Sequence, residues 1–213
     1  MVELNKIYNE DCLETMARMG DKEVDLILTD PPYGVGIDYG DTFSDTRENV
    51  KNLISRIFPE MNRISKRIVL TPGIGNFHAY PEPDWVMAWV YSPGHSYCPW
   101  GFNSWQPIFV WGKDPYLENS MGCREDVIKK NFTVPKSAHP VPKSDYDWYV
   151  LLNRCSVRPS DIIYDPFMGS GTTSIACERL GRKWIGSEIN SKFYMDATKR
   201  VSEFKSQEVM AFQ

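Results

Sequence analysis

Short apolar runs recur along the chain, and most are separated by stretches whose apolar positions keep a helical spacing. Residues 6–8 read as a strand leading into a helix over 13–19, and VDLIL (24–28) as a buried strand. A glycine-rich loop, VGIDYGDTFSD, precedes an amphipathic helix over 47–64. IVL (68–70) is a strand stopped by Thr71, Pro72 and Gly73, and DWVMAWVY (84–91) and PIFVW (107–111) are further strands. Residues 112–138 show no period. A helix over 146–155, a strand over 161–165, a helix over 172–180, a strand over 183–189 and a last helix from about residue 192 follow. Strands alternating with helices predict a doubly wound, mostly parallel α/β sheet with helices on both faces. The 213 residues fit a single domain, with room for a small insert at about 92–138.

Composition narrows this. The chain is 42% hydrophobic and 24% charged, ordinary for a globular protein. No apolar run approaches the ~20 residues of a membrane span, and the polar, acidic start is unlike a signal peptide, so the expectation is no membrane and a cytoplasmic location. Cysteines 12, 98, 123, 155 and 177 are odd in number and form no CxxC pair, which predicts reduced thiols and no metal site. A net charge of −4 argues against a generic polyanion binder and leaves room for a local basic patch. Residues 127–143 contain Lys129, Lys130, Lys136 and Lys143 and no acid. The first three are the candidates for contact with phosphates; an ordinary solvated loop reads equally well. His78, His95 and His139 read as surface or hydrogen-bonded histidines, and the tryptophans as core, with Trp100 and Trp105 as possible base contacts.

Two stretches carry candidate chemistry. In DPFMGSGTTSIACERLG (165–181), an apolar strand ends at Asp165, Gly169 and Gly171 allow a tight turn, and Thr172 opens a helix whose free N–H groups face the same place. A phosphate-binding P-loop fits poorly, because GxxxxGK[ST] is absent and no lysine follows Gly171. A dinucleotide loop fits poorly, with Ser174 where the third glycine belongs. Glu188 ends the next strand 17 positions after Gly171, the place of an acid that holds ribose hydroxyls. The ligand is expected to be of adenosine type. Only 48 residues follow Asp165, so other strands must come from the N-terminal half. The other stretch, TDPPYG (29–34), also ends a strand. If the two strands are neighbours, its corner faces the same ligand.

The lead-in NEDCLETMARMGDKEVDLILT (9–29), DPPYG at 30, HPVPKS at 139–144 and DPFMGSGTT at 165, in that order, resemble the S-adenosylmethionine-dependent amino-methyltransferases of DNA in their permuted beta group. The resemblance spans roughly 5–30 and 139–195 and implies a Rossmann-like sheet with circularly permuted motifs. It implies S-adenosylmethionine as cofactor without a metal, double-stranded DNA as partner, a bacterial or phage-infected cell, and adenine N6 or cytosine N4 as target. An aspartate opening the corner favours adenine.

The exocyclic amino nitrogen of a base is a weak nucleophile, because its lone pair is delocalised into the ring. Asp30 and the Pro31 carbonyl offer two acceptors for its hydrogens, Pro31 and Pro32 add no competing N–H, and Tyr33 offers a ring face to an extruded base. Around the cofactor, Asp165, Phe167, Gly169, Gly171 and Thr172 are expected near the methionine and sugar, Glu188 on the ribose, Asp11 and Cys12 near the adenine, and Lys143 at the carboxylate end. The loop 34–46 is a candidate cover for the base. Gln106 stands where many relatives carry an acid. Rival readings are methylation of RNA or protein, an NAD-dependent oxidoreductase, which leaves DPPYG unexplained, and a DNA-binding relic without activity. The small insert also suggests a short recognition sequence or a homodimer.

Overall fold

The structure is a computed structural model that describes residues 2–90, 96–129 and 145–211. Eight strands form one sheet in the order β1-β12-β11-β2-β5-β9-β6-β10. They are β1 (Lys6–Tyr8), β2 (Leu26–Thr29), β5 (Ile68–Leu70), β6 (Trp85–Val90), β9 (Trp105–Trp111), β10 (Val127–Lys129), β11 (Ile162–Asp165) and β12 (Lys183–Ser187). Two small pairs stand outside it, β3 (Val35–Asp38) with β4 (Ser44–Thr46), and β7 (Ser96–Cys98) with β8 (Gly101–Asn103). The sheet is the mostly parallel one expected, apart from β9, which runs antiparallel to both β5 and β6. β2 pairs parallel with β11, so the strands that end in the two motifs are neighbours.

Alternation along the central strands divides the core. Leu26 and Leu28 pack in a cluster with Trp148, Leu151 and Ile175, on α4 (Asp145–Cys155) and α5 (Thr172–Leu180). Ile27 points the other way, into a cluster with Met16 of α1 (Cys12–Ala17) and Ile54, Ile57 and Met61 of α2 (Arg47–Ile64). Helices therefore cover both faces, and β2, buried along its whole length, reads as an unbroken apolar run. The α2 pattern explains its boundaries: Thr46 caps Asn49 N–H at 3.2 Å, and buried Val50, Ile54, Ile57, Met61 and Ile64 recur at alternating spacings of four and three. The last helix, α6 (Ser191–Ala211), starts where Asn190 Oδ1 accepts the Lys192 and Phe193 N–H groups.

Several expectations change. The stretch read as a loop at 34–46 contains the β3–β4 ribbon. Asp45 organises it, accepting the N–H groups of Gly34, Val35 and Ile37 at 2.7, 3.0 and 3.0 Å. Residues 112–138, read as irregular, contain a short helix α3 (Pro115–Glu118), capped by Asp114, and the edge strand β10. Neither carries a periodic signal, being four and three residues long. Among the tryptophans expected in the core, Trp89 and Trp111 are buried, whereas Trp85, Trp100 and Trp105 are exposed. His78 is exposed, and His95 and His139 lie outside the described residues. Cys12, Cys123, Cys155 and Cys177 are free thiols. No helix among the described residues is long and apolar enough to cross a membrane.

Candidate active site

At the carboxyl ends of β2, β11 and β12 a cavity of about 580 Å3 opens. Its wall includes Asp11, Cys12, Asp30, Pro31, Pro32, Tyr33, Asp165, Phe167, Gly169, Thr172 and Glu188. These residues come from both ends of the chain and are gathered because parallel strands deliver all their carboxyl ends to one edge.

Glu188 follows the end of β12 and is buried. Its Oε2 accepts Gly169 N–H at 2.9 Å and its Oε1 accepts Asn190 N–H at 2.8 Å. Burial pushes its carboxyl above the ordinary value, against the pull of those two N–H groups. Gly169 adopts φ 52°, in the left-handed region, which turns its N–H toward Glu188. Gly171, at φ 79° before the first turn of α5, also has a packing role: an added Cβ would lie 3.3 Å from Ala197 Cβ and Ser174 Oγ, so its smallness lets α5 pack on α6. Asp11 caps α1, with Oδ1 accepting Leu13 N–H at 2.9 Å, and still lines the cavity. The Cys12 thiol is pushed up to about 12 by burial, which keeps it protonated and unreactive.

Asp165 is more enclosed. Its Oδ1 accepts Thr29 Oγ1–H at 2.7 Å and Phe167 N–H at 3.0 Å, and its Oδ2 accepts the Thr173 hydroxyl. Trp148 Nε1–H donates to Thr173 Oγ1 at 2.8 Å and fixes that hydroxyl. Complete burial raises the Asp165 carboxyl to about 6 despite these donors. The carboxylate thus ties the loop to the end of β2.

At the corner, Asp30 Oδ1 accepts the hydroxyls of both Tyr33 and Thr71. The phenol is driven well above its ordinary value, chiefly by burial of the hydroxyl and then by the Asp30 charge. Thr71 directly follows β5, which pairs with β2. Asn76 completes the clamp, donating from Nδ2 to Tyr33 O at 2.8 Å and Pro72 O at 2.9 Å. Gly73, at φ 71°, packs on the Tyr33 ring, where an added Cβ would lie 3.0 Å from the ring carbon Cγ. Gly34 ends the corner at φ 69°, and a Cβ there would fall 2.8 Å from the Arg47 backbone. The Gln106 amide lies beside the Tyr33 hydroxyl, close enough to lower its pKa, although Nε2 itself donates no hydrogen bond of good geometry.

Thr29, Thr71, Asn76 and Asp45 escaped the sequence reading. The turn signal at Thr71–Gly73 was visible, but nothing local marks a threonine as the partner of an aspartate 41 residues away. The β3–β4 ribbon supplies Val35, Ile37, Tyr39 and Phe43 to the cavity wall, and Asn190 Nδ2–H fastens it by donating to Tyr39 O at 3.1 Å. Lys129 is exposed at the end of β10, on the same edge of the sheet; Lys130, Lys136 and Lys143 lie outside the described residues. Among the described residues, no three His, Cys, Asp or Glu side chains gather to hold a metal ion.

A family model described as DNA methylase matches residues 100–199. The type II methyltransferase M.BamHI of Bacillus amyloliquefaciens is 26% identical over 241 residues, covering 89% of this chain; this chain spans 55% of that protein. Among solved structures, the M1.HpyAVI–SAM complex aligns with a TM-score of 0.62 at 22% identity over 92% of this chain and 98% of that one. The cytosine-N4-specific PvuII DNA methyltransferase aligns with a TM-score of 0.69 at 14% identity, over 97% of this chain and 93% of that one.

Proposed function

We propose that the chain is a DNA methylase acting on an exocyclic amino group, in keeping with the family model matched over residues 100–199 and the relatives it resembles, and that it transfers a methyl group from S-adenosylmethionine to adenine N6 in double-stranded DNA. The observation that carries this reading is the opening of Asp30 and Glu188 into one cavity.

The cavity suits the cofactor. About 580 Å3 is within the ~300–1,000 Å3 usual for small-molecule sites. Glu188 presents a buried carboxylate suited to two ribose hydroxyls, held in place by two backbone N–H groups. Phe167, Gly169 and Thr172 would hold the sugar and methionine side, and Asp11 and the Cys12 backbone the adenine. When bound, S-adenosylmethionine supplies a methyl group on a sulfonium centre.

Asp30 and the Pro31 carbonyl accept the two hydrogens of the target amino group. This favours a tetrahedral nitrogen whose lone pair is released from the ring. Tyr33 and Thr71 hold Asp30 at a fixed angle, so little reorganisation accompanies attack. The Tyr33 ring, which packs on Gly73, would supply the surface on which the extruded base stacks. After transfer the nitrogen carries an extra proton, and Asp30 is the nearest acceptor for it. The chain supplies orientation, and no covalent enzyme intermediate is needed.

Cytosine N4 presents the same two hydrogens, so the corner does not distinguish the bases, and the likeness to the PvuII enzyme keeps cytosine as the second reading. The adenine preference rests on the aspartate at the head of DPPY. Mass spectrometry of nucleosides from DNA exposed to the protein decides between them. N6-methyladenine is expected; N4-methylcytosine alone would reverse the choice of base, and neither product would refute the reaction.

A further inference from the structure

The edge of the sheet that carries Asp30 also carries an aromatic-tipped arm. Leu70, the last residue of β5, pairs with Phe109, and β9 continues four residues further out to Trp105. At ~3.3 Å per residue the arm reaches about 13 Å past the end of β5. β6 accompanies it, with pairing kept as far as Val90 and Trp105. Because β6 is parallel to β5 and β2, the arm leaves from the edge at which Asp30 and Thr71 stand. Gln106, one residue in from Trp105, is buried, so the arm emerges from the body of the sheet at that point.

At the end of the arm β7 and β8 pair as a hairpin that turns at residues 99–100. Trp100, in the turn, is 97% exposed, Phe102 64% and Trp105 42%. Residues 96–106 contain no charged side chain, and Lys129, beside Val90 at the end of β10, flanks the arm with a cation. Exposed apolar side chains scattered singly need no explanation; three large rings on one protruding ribbon do. A base drawn out to Asp30 leaves a gap in the stack, and a ring on an uncharged arm can fill such a gap without repelling phosphates. We propose that the β7–β8 hairpin is a stacking wedge, with Trp100 entering the duplex beside the base presented to Asp30. The proposal rests on the DNA-methylation reading.

The test uses unmethylated genomic DNA and the variants Trp100→Ala and Trp100→Phe. Base–aromatic stacking is strong enough that Trp100→Ala should lower methyl incorporation about tenfold or more, while Trp100→Phe, which keeps a ring, stays within about threefold of the parent. Calorimetric affinity for S-adenosylmethionine should be unchanged in both, which also certifies folding. Incorporation by Trp100→Ala within twofold of the parent would overturn the wedge. So would a dimer in the parent that Trp100→Ala dissolves, since that assigns the arm to a second copy. If the parent methylates no DNA at all, the reading of the reaction has failed, and the wedge is then judged on fluorescence. The emission that the parent has and Trp100→Phe lacks should be quenched by duplex DNA, and unquenched emission rejects it.

Discussion

Thr29 and Asp165 are separated by 136 residues in the chain and joined by a 2.7 Å hydrogen bond. The bond is buried, and it couples the two motifs: Asp30 follows Thr29 directly, and Phe167 and Gly169 follow Asp165. Thr29→Val would leave one acceptor of a buried carboxylate short of a donor, at a cost of about 1–3 kcal/mol. Urea denaturation of Thr29→Val and Thr29→Ser measures this. Thr29→Ser keeps the hydroxyl and should remain near the parent; equal losses in both would mean that the methyl group, and not the hydrogen bond, matters.

Asp165 also sets a pH dependence. Its carboxyl is raised from 3.8 to about 6 by burial, so the folded state takes up this proton before the unfolded state does. Its contribution to stability is therefore greatest below pH 4 and is lost as pH rises through about 6, amounting to about 3 kcal/mol for full ionisation. Thermal denaturation of the parent and of Asp165→Asn between pH 4 and 8 isolates the effect, because the amide cannot titrate. Parallel curves would mean that Asp165 does not titrate in this range.

Asp30→Ala should cost on the order of 10²-fold or more in methyl transfer with cofactor affinity largely intact, since it removes an acceptor of developing charge. Thr71→Val and Tyr33→Phe each remove one hydroxyl from Asp30 Oδ1 and should lower kcat by about tenfold through loss of preorganisation, leaving cofactor affinity alone. Tyr33→Ala loses the ring as well and should fall further. From sequence, the Tyr33 ring looked sufficient; the bond to Asp30 gives the hydroxyl a role. Steady-state kinetics in which Tyr33→Phe matches the parent would remove that role.

Glu188→Ala should weaken S-adenosylmethionine at least tenfold, because it deletes the ribose partner and leaves the Gly169 and Asn190 N–H groups without their acceptor. Gly169→Val should abolish binding, because a β-branched residue is strained at φ 52°. Isothermal titration calorimetry reads both, and undiminished affinity would place the cofactor elsewhere.

Replacing Lys129, Lys130 and Lys136 together should weaken binding to duplexes of any sequence and reduce the salt slope by about one for each phosphate that is no longer neutralised. Fluorescence anisotropy over a salt series measures the slope. An unchanged slope puts the phosphate-facing surface on other residues.

The sequence by itself determined the layers and the location of the chemistry. Apolar runs such as LILT and IIYD, and the three-and-four spacing of α2, are local patterns, and local patterns survive in a linear text. So are the turn chemistry of DPPYG and the glycines of DPFMGSG, from which the placement of Asp30, Glu188 and Gly169 at strand ends followed. Tertiary structure decided which residues hold those groups. Thr71 reaches Asp30 only because β5 lies beside β2, and Asp45 gathers three N–H groups only once the 34–46 segment folds as a ribbon. Gly171, which sequence placed at the ligand, also faces Ala197 because α6 packs there. Antiparallel β9, and the exposure of Trp100 at the end of its arm, depend on pairing between distant segments. Hydrophobicity along a strand is encoded residue by residue, whereas the identity of the neighbouring strand is fixed only by the closure of the whole sheet.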